Sequence, residues 1–217
     1  MDRIVARKIS LQISPEQLRE DLEKYRQKAL EVGADGAKIV SANQVVVDER
    51  VRMKCLVPLC HLYGESPNCP PYTPEPEEMR KVLSKFSYAI FTRNDVLPVE
   101  DFTDDEKWHR AHMKHQGKTH RIVSEVESLA FNDGYYLAMG FAAGGCKTAL
   151  CGGQICQFLD RGRCRFPLKA RPSMEAVGID AYRLATQVGW DIYPVAHRNV
   201  ELTSIPCAIS LGIIFIY

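Results

Sequence analysis

The stretch from Gly144 to Arg171, GGCKTALCGGQICQFLDRGRCRFPLKAR, sets Cys146, Cys151, Cys156 and Cys164 at a spacing of Cys-x4-Cys-x4-Cys-x7-Cys among five glycines. Such a segment has little to bury, so apolar packing cannot offset the cost of ordering it. Four thiolates closing on a metal or cluster can, because metal–ligand free energy substitutes for the missing core. An iron–sulfur cluster suits the glycines better than zinc does: its sulfides accept main-chain N–H bonds, and glycine lets the main chain approach. Structural zinc more often takes short Cys-x2-4-Cys pairs in two sets, and no Cys-x2-Cys occurs here. Zinc, disulfides and idle buried cysteines stay open as alternatives.

A second group, KCLVPLCHLYGESPNCPPYTPEPEE, carries Cys55, Cys60 and Cys69 at Cys-x4-Cys-x8-Cys, threaded through Pro58, Pro67, Pro70 and Pro71. Proline stiffens a loop at low entropic cost, and Cys69-Pro70 has the form of the Cys-Pro that closes many ferredoxin cluster motifs. Three thiolates leave one ligand position to fill. Cys207, His61, another side chain or an exogenous molecule could fill it, and an open position would mark catalysis rather than electron transfer. The eighth cysteine, Cys207, lies amid apolar neighbours in SIPCAISLGIIFIY and reads as core.

Eight cysteines in a chain that is 46 % hydrophobic and 25 % charged, with a net charge of +1, fit a soluble protein of a reducing compartment, hence cytoplasmic. The N-terminus has no continuous apolar run of the signal-peptide kind, and the apolar C-terminus is too short to span a bilayer, so no membrane association is expected. At 217 residues the expectation is one domain over 1–217, with cysteine-rich loops at 54–72 and 144–171.

Periodicity predicts an α/β (or α+β) fold, a mixed sheet flanked by helices. Residues 3–13 alternate weakly as a first strand. Ser14, Pro15 and Gln17 open a helix with its apolar face on Leu18, Leu22, Tyr25 and Ala29, and Gly33 ends it. Strands are expected over 37–40, 44–51, 88–91, 135–145, 190–195 and the C-terminal tail. Helices are expected after Pro76, from a capping box at Thr103-Asp104-Asp105-Glu106 as far as Asn132, and from Asp180 to Val188. Both cysteine groups then begin at the carboxyl ends of strands. If those strands are parallel neighbours, both open onto one crevice.

The long helix would carry Trp108, His112, His115, Thr119, Ile122, Val126 and Leu129 inward, with Gly117 as a kink. His112 and His115 read as half-buried and hydrogen-bonded, with ligand or proton donor as the sharper alternative. His109 and His120 fall off the stripe and read as solvated. Around the four-cysteine loop stand Lys147, Arg161, Arg163, Arg165, Lys169 and Arg171 against the single acid Asp160. That patch would raise the potential of an anionic cluster, dock an acidic redox partner protein or hold a small anionic substrate through Arg165 or Arg171. A solvated charged face is the plain alternative. Nucleic acid is a weak third choice, because the chain is near neutral and carries no binding motif.

KCLVPLCHLYGESPNCPPYTP and CGGQICQFLDRGRCRFPLKARPSMEAVGID resemble the family of predicted metal-binding, cysteine-rich proteins of unknown function from anaerobic bacteria and archaea. The resemblance spans nearly the whole chain, and the cysteines match the family pattern residue by residue. It implies metal or Fe–S binding in an anaerobic setting, and no reaction. The expectation is therefore one [4Fe-4S] cluster on Cys146, Cys151, Cys156 and Cys164 and a second on Cys55, Cys60 and Cys69, serving electron transfer within or to a redox enzyme complex. With neither Gly-x-Gly-x-x-Gly nor a P-loop in the chain, electrons would come from a partner. The alternatives are an Fe–S enzyme whose open-site cluster acts on a small anionic substrate, with catalytic residues unknown, and a zinc-stabilised interaction module.

Overall fold

The computed structural model describes residues 5–103, 108–195, 201 and 204–217. Four strands, β1 (Gly36–Ser41), β2 (Tyr88–Asp95), β3 (Met139–Phe141) and β4 (Ile209–Phe215), form one sheet in the order β1-β2-β4-β3. Alternation sends Ala89, Phe91, Leu211, Ile213 and Phe215 to one face and Ile90 and Ile214 to the other. Because β2 and β4 are covered on both faces, they read as continuous apolar runs rather than as apolar–polar alternation.

On the first face lie α3 (Pro76–Leu83) and α8 (Ala181–Gln187), which bring Met79, Leu83, Leu184 and Ala185 onto the sheet beside Ile179 and Trp190. The second face carries α1 (Pro15–Glu31), through Leu22, Tyr25 and Ala29, and α5 (Trp108–Asn132), through Ile122, Val123 and Val126. Each large apolar side chain so buried contributes roughly 1.5–3 kcal/mol. A Cβ on Gly212 would stand 2.6 Å from Val123 Cγ2, so glycine is what lets α5 lie this close to β4.

Several expected elements form as read. Ser14 Oγ accepts from the Gln17 N–H at 3.1 Å, Pro15 opens α1, and Gly33 follows its end at φ +112°. Asp180 caps α8 by accepting from the Arg183 N–H at 2.9 Å, with Ile179 and Leu184 in one buried cluster. The helix ending at Asn132 and the paired C-terminal strand also form. A short helix, α4 (Glu100–Thr103), precedes α5, and the Thr103–Glu106 capping box falls partly outside the described residues, as does the side chain of Trp108.

Other expectations are corrected. All strand pairings are antiparallel, so the sheet is not mixed, and neither cysteine group rests on parallel neighbours. Residues 5–13 form no strand. In place of a strand over 44–51 there is a 3-10 turn at Ala42–Gln44 and then α2 (Glu49–Met53), because Asp48 accepts from the Arg50 N–H at 2.8 Å and caps a helix. Cys55 therefore follows a helix. Of the stretch 135–145, residues 139–141 join the sheet and Ala142 makes a lone parallel bridge to Ser173; 190–195 does not pair, and Trp190 stacks on Phe91 with ring centroids 4.9 Å apart. Gly117 lies within a continuous α5, where it admits the main chain of a neighbouring helix: its Cβ would stand 3.1 Å from the Ala149 carbonyl.

Candidate metal centre

The three-cysteine loop leaves α2 and returns at α3, and Arg52 closes its base. This buried guanidinium donates to Thr73 Oγ1 at 2.7 Å, to the carbonyls of Pro74 and Ala176 at 2.9 and 2.7 Å, and to Glu75 at 2.7 Å. Within the loop, turns satisfy the main chain: Cys60 N–H reaches the Cys55 carbonyl at 3.0 Å, and Cys69 N–H the Ser66 carbonyl at 3.1 Å.

The four-cysteine loop follows β3 and is pinned where it returns. Ala142 N–H donates to the Pro172 carbonyl at 2.9 Å, and Met174 N–H to the Ala142 carbonyl at 3.2 Å. Between these ends stand two short helices, α6 (Cys146–Cys151) and α7 (Gln157–Arg161), closed by the left-handed residues Gly152 (φ 60°) and Gly162 (φ 73°). A side chain at either position would strain the turn that carries Cys151 or Cys164 back toward Cys146.

All four cysteines of this loop line one narrow cleft, together with Phe158, Phe166 and Arg165. Cys55, Cys60 and Cys69 line a separate cavity of about 580 Å³, walled by Val51, Leu62 and Pro70 and carrying His112, Glu175 and Tyr182. Main-chain N–H groups donate to sulfur in both places, Leu62 to Cys60 Sγ and Phe166 to Cys164 Sγ, each at 3.4 Å.

The two groups meet. Asn68, from the three-cysteine loop, lines the other cleft and donates to Cys146 Sγ at 3.4 Å. A Cβ on Gly145 would stand 3.6 Å from Cys69 Sγ and would overlap Leu62. The fully buried Ser66 hydroxyl is close enough to the sulfurs of both Cys69 and Cys146 to favour both thiolates, but it makes no hydrogen bond of good geometry. A buried donor left in that state costs about 1–3 kcal/mol, and anionic sulfur beside it would remove the cost. Burial pushes the Cys69 thiol up to about 11 and raises those of Cys146 and Cys55. These thiols keep their protons at neutral pH until a cation displaces them. No three His, Cys, Asp or Glu side chains among the described residues converge closely enough to hold one metal ion.

The model of the DUF2284 family, predicted metal-binding proteins, matches residues 38–208, which include both loops. This chain belongs to that family. No curated protein and no solved structure matches it.

In this DUF2284 chain the other candidate residues divide. Arg165 lines the four-cysteine cleft and donates to the Ile155 carbonyl at 2.8 Å. Arg171 is held by Glu127 at 2.6 Å, away from either space. Lys147 pairs with Glu65 and Arg161 with Asp160, so three of the six loop cations are neutralised locally. His115 meets Asp101 at 2.7 Å, as a hydrogen-bonded packing residue should, whereas His112 stacks on Phe102 and faces the three-cysteine cavity. His120 reverses expectation: it is fully buried near the Lys169 main chain with neither ring nitrogen hydrogen-bonded, and burial pushes its pKa down to about 4. The side chain of His109 lies outside the described residues. Cys207 stands apart from both groups, only partly buried, with Sγ 3.6 Å from the Asp191 carbonyl.

Ser66, Asn68, Gln116, Glu175 and Tyr182 were not singled out by the sequence. Ser66 and Asn68 flank Pro67 just before Cys69, where a polar residue inside a ligand loop was the one available signal. No helix among the described residues is long and apolar enough to cross a membrane.

Proposed function

We propose that this chain is an iron–sulfur protein with two adjoining centres, in which electrons pass from a cluster on Cys146, Cys151, Cys156 and Cys164 to one on Cys55, Cys60 and Cys69. The carrying observation is the contact between the groups: Cys69 and Cys146 share Ser66, and Asn68 of one loop donates to sulfur of the other. Clusters held there would supply one-electron transfer and, at the three-cysteine site, an iron with a position open to a small molecule. That site faces the cavity, so the chemistry is reduction of a bound small molecule rather than relay alone.

The donors support clusters over zinc. Main-chain N–H groups of Leu62 and Phe166 donate to the sulfurs of Cys60 and Cys164, bonds of the kind that surround and tune a cluster. Electron entry falls to the face around the four-cysteine cleft, where the exposed Ile155, Phe158, Phe166 and Leu168 lie among Arg163, Arg165 and Lys169. That composition suits an acidic redox protein of a reducing, cytoplasmic setting. The same face supports a second reading, a pure electron carrier between two proteins.

Anaerobic purification with iron, acid-labile sulfide and zinc counted per chain tests the proposal, followed by EPR of the dithionite-reduced protein. About eight irons and eight sulfides are expected, falling to about four when Cys55, Cys60 and Cys69 are together replaced by Ser. Zinc without sulfide overturns the redox reading, and a count of about four that ignores the replacement confines the centre to one loop.

A further inference from the structure

We propose that the cavity over Cys55, Cys60 and Cys69 binds a small, uncharged, largely apolar organic molecule with one amide- or carbonyl-type head, recognised by Gln116 and Tyr182, and that it turns anions away. This rests on the function proposed above only for what the molecule meets at its sulfur end.

The cavity does not stand alone. A second space of about 310 Å³ shares His112, Gln116, Gly144, Glu175, Ala181 and Tyr182 with it and is also lined by Phe102, Ile192 and Tyr193. The two adjoin along these shared residues, and the cysteines line only the larger. Its size lies in the range of small-molecule sites, roughly 300–1,000 Å³. The inner wall exposes mostly apolar atoms, those of Val51, Leu62, Pro70, Ala176 and Ala181 among them.

Charge opposes an anion. The carboxyls of Glu175 and Asp180 border the inner cavity with the three cysteines, against Lys54 and His61. Of the arginines suited to an anionic substrate, Arg165 lines the other cleft and Arg171 is paired with Glu127. Burial already raises the Glu175 pKa, and a carboxylate entering here would bear the same loss of water around its charge, beside the Asp180 carboxyl.

Two polar groups remain to grip a neutral head. The Gln116 amide lies over Gly144, in space that any Cβ would fill, and it makes no hydrogen bond within the described residues. The Tyr182 hydroxyl makes none either, whereas Ser173 and Asp180 are already taken by the N–H groups of Ala176 and Arg183. An amide offers both donor and acceptor and a phenol offers a donor, the complement of an amide or carbonyl head.

Benzamide and benzoate, nearly equal in shape and different in charge, test this by ligand-observed NMR titration of the anaerobically purified full chain, with iron and sulfide counted in every sample. Benzamide should bind at least about tenfold tighter than benzoate. Gln116→Ala and Tyr182→Phe should each weaken benzamide about three- to tenfold without changing iron content. Equal or tighter benzoate binding, no saturable binding of either probe, or benzamide binding indifferent to both variants overturns the inference. If the selectivity holds in protein without sulfide, the cluster reading alone fails. If clusters assemble and the selectivity is missing, this inference alone fails.

Discussion

Around Phe91 and Ile213 every side chain meets others, with the sheet covered on both faces. Around Cys151, Cys156 and Cys164 the picture inverts: no residue of α7 is buried, Ile155 and Leu168 are 74 % and 82 % exposed, and order comes from turns, glycine caps and pinned ends. The first region is stabilised by apolar burial and needs nothing from outside the chain. In the second, on the function proposed above, ligand bonds would supply what packing does not. Stability and function are thereby separated, and each can be disturbed without the other.

Removing metal disturbs the second region alone, with the largest effect. Stripping iron under anaerobic conditions should raise amide exchange in residues 54–72 and 144–171 by roughly 100-fold or more. Exchange in β2 and β4 should stay slow, as mass spectrometry of exchanged fragments would read. Global unfolding instead would make the sheet as metal-dependent as the loops and erase the contrast.

Arg52→Met separates one loop from the other. The change leaves the Pro74 carbonyl without its donor and the Ala176 carbonyl with the Thr73 hydroxyl alone, and should cost about 2–4 kcal/mol in a urea melt. Because Arg52 closes only the three-cysteine loop, the iron held by Cys55, Cys60 and Cys69 should be lost while the four-cysteine centre keeps its EPR signal. Loss of both signals would mean that the loops fold as one unit.

Asp21 sharpens the contrast from the other side. Burial alone would raise its pKa, but hydrogen bonds from Arg7 (2.6 Å) and Tyr135 (2.9 Å), with the Arg7 charge, prevail and hold it below the ordinary carboxylate value. A lowered folded-state pKa means that the stabilisation is complete above the unfolded value, near 3.9, and is lost as pH falls below it. Asp21→Asn should cost about 1–3 kcal/mol at pH 7 and flatten the acid limb of stability against pH, with iron content untouched. An unchanged acid limb would place that sensitivity elsewhere.

The same division decides how much could be read from sequence. Helix ends written in side chains were legible: Ser14 and Pro15, Asp180, and Gly33. Asp48 carried the same kind of signal, but Val45-Val46-Val47 argued for a strand and obscured it, and the cap prevailed. Parallel and antiparallel pairing leave the same apolar run in a strand covered on both faces, so β2 and β4 could not declare their direction. His120 was missed because a single inward stripe assumes one buried face, whereas α5 packs on β4 and also against α6. The division of the cysteines into two sets was legible from spacing. That they adjoin was expected only through parallel strands, which do not form; the contact depends instead on Ser66, Asn68 and Gly145, residues with no distinctive pattern of their own.

The smallest change tests that junction. Gly145 has φ −90° and ψ 131°, a conformation open to any residue, so Gly145→Ala brings no backbone strain. Its Cβ would overlap Leu62 Cδ1 and stand against Cys69 Sγ. Since the tip of Leu62 can rotate, the stability cost should be only about 1 kcal/mol. The displacement, however, falls on the segment that sets Cys69 beside Cys146. If electrons cross there, both centres should still assemble with unchanged iron and sulfide, while the magnetic interaction between them in the EPR spectrum of the fully reduced protein weakens. An interaction of unchanged strength, at equal iron content, would show that the contact through Ser66 and Gly145 does not couple the centres, and the two loops would then be neighbours without being partners.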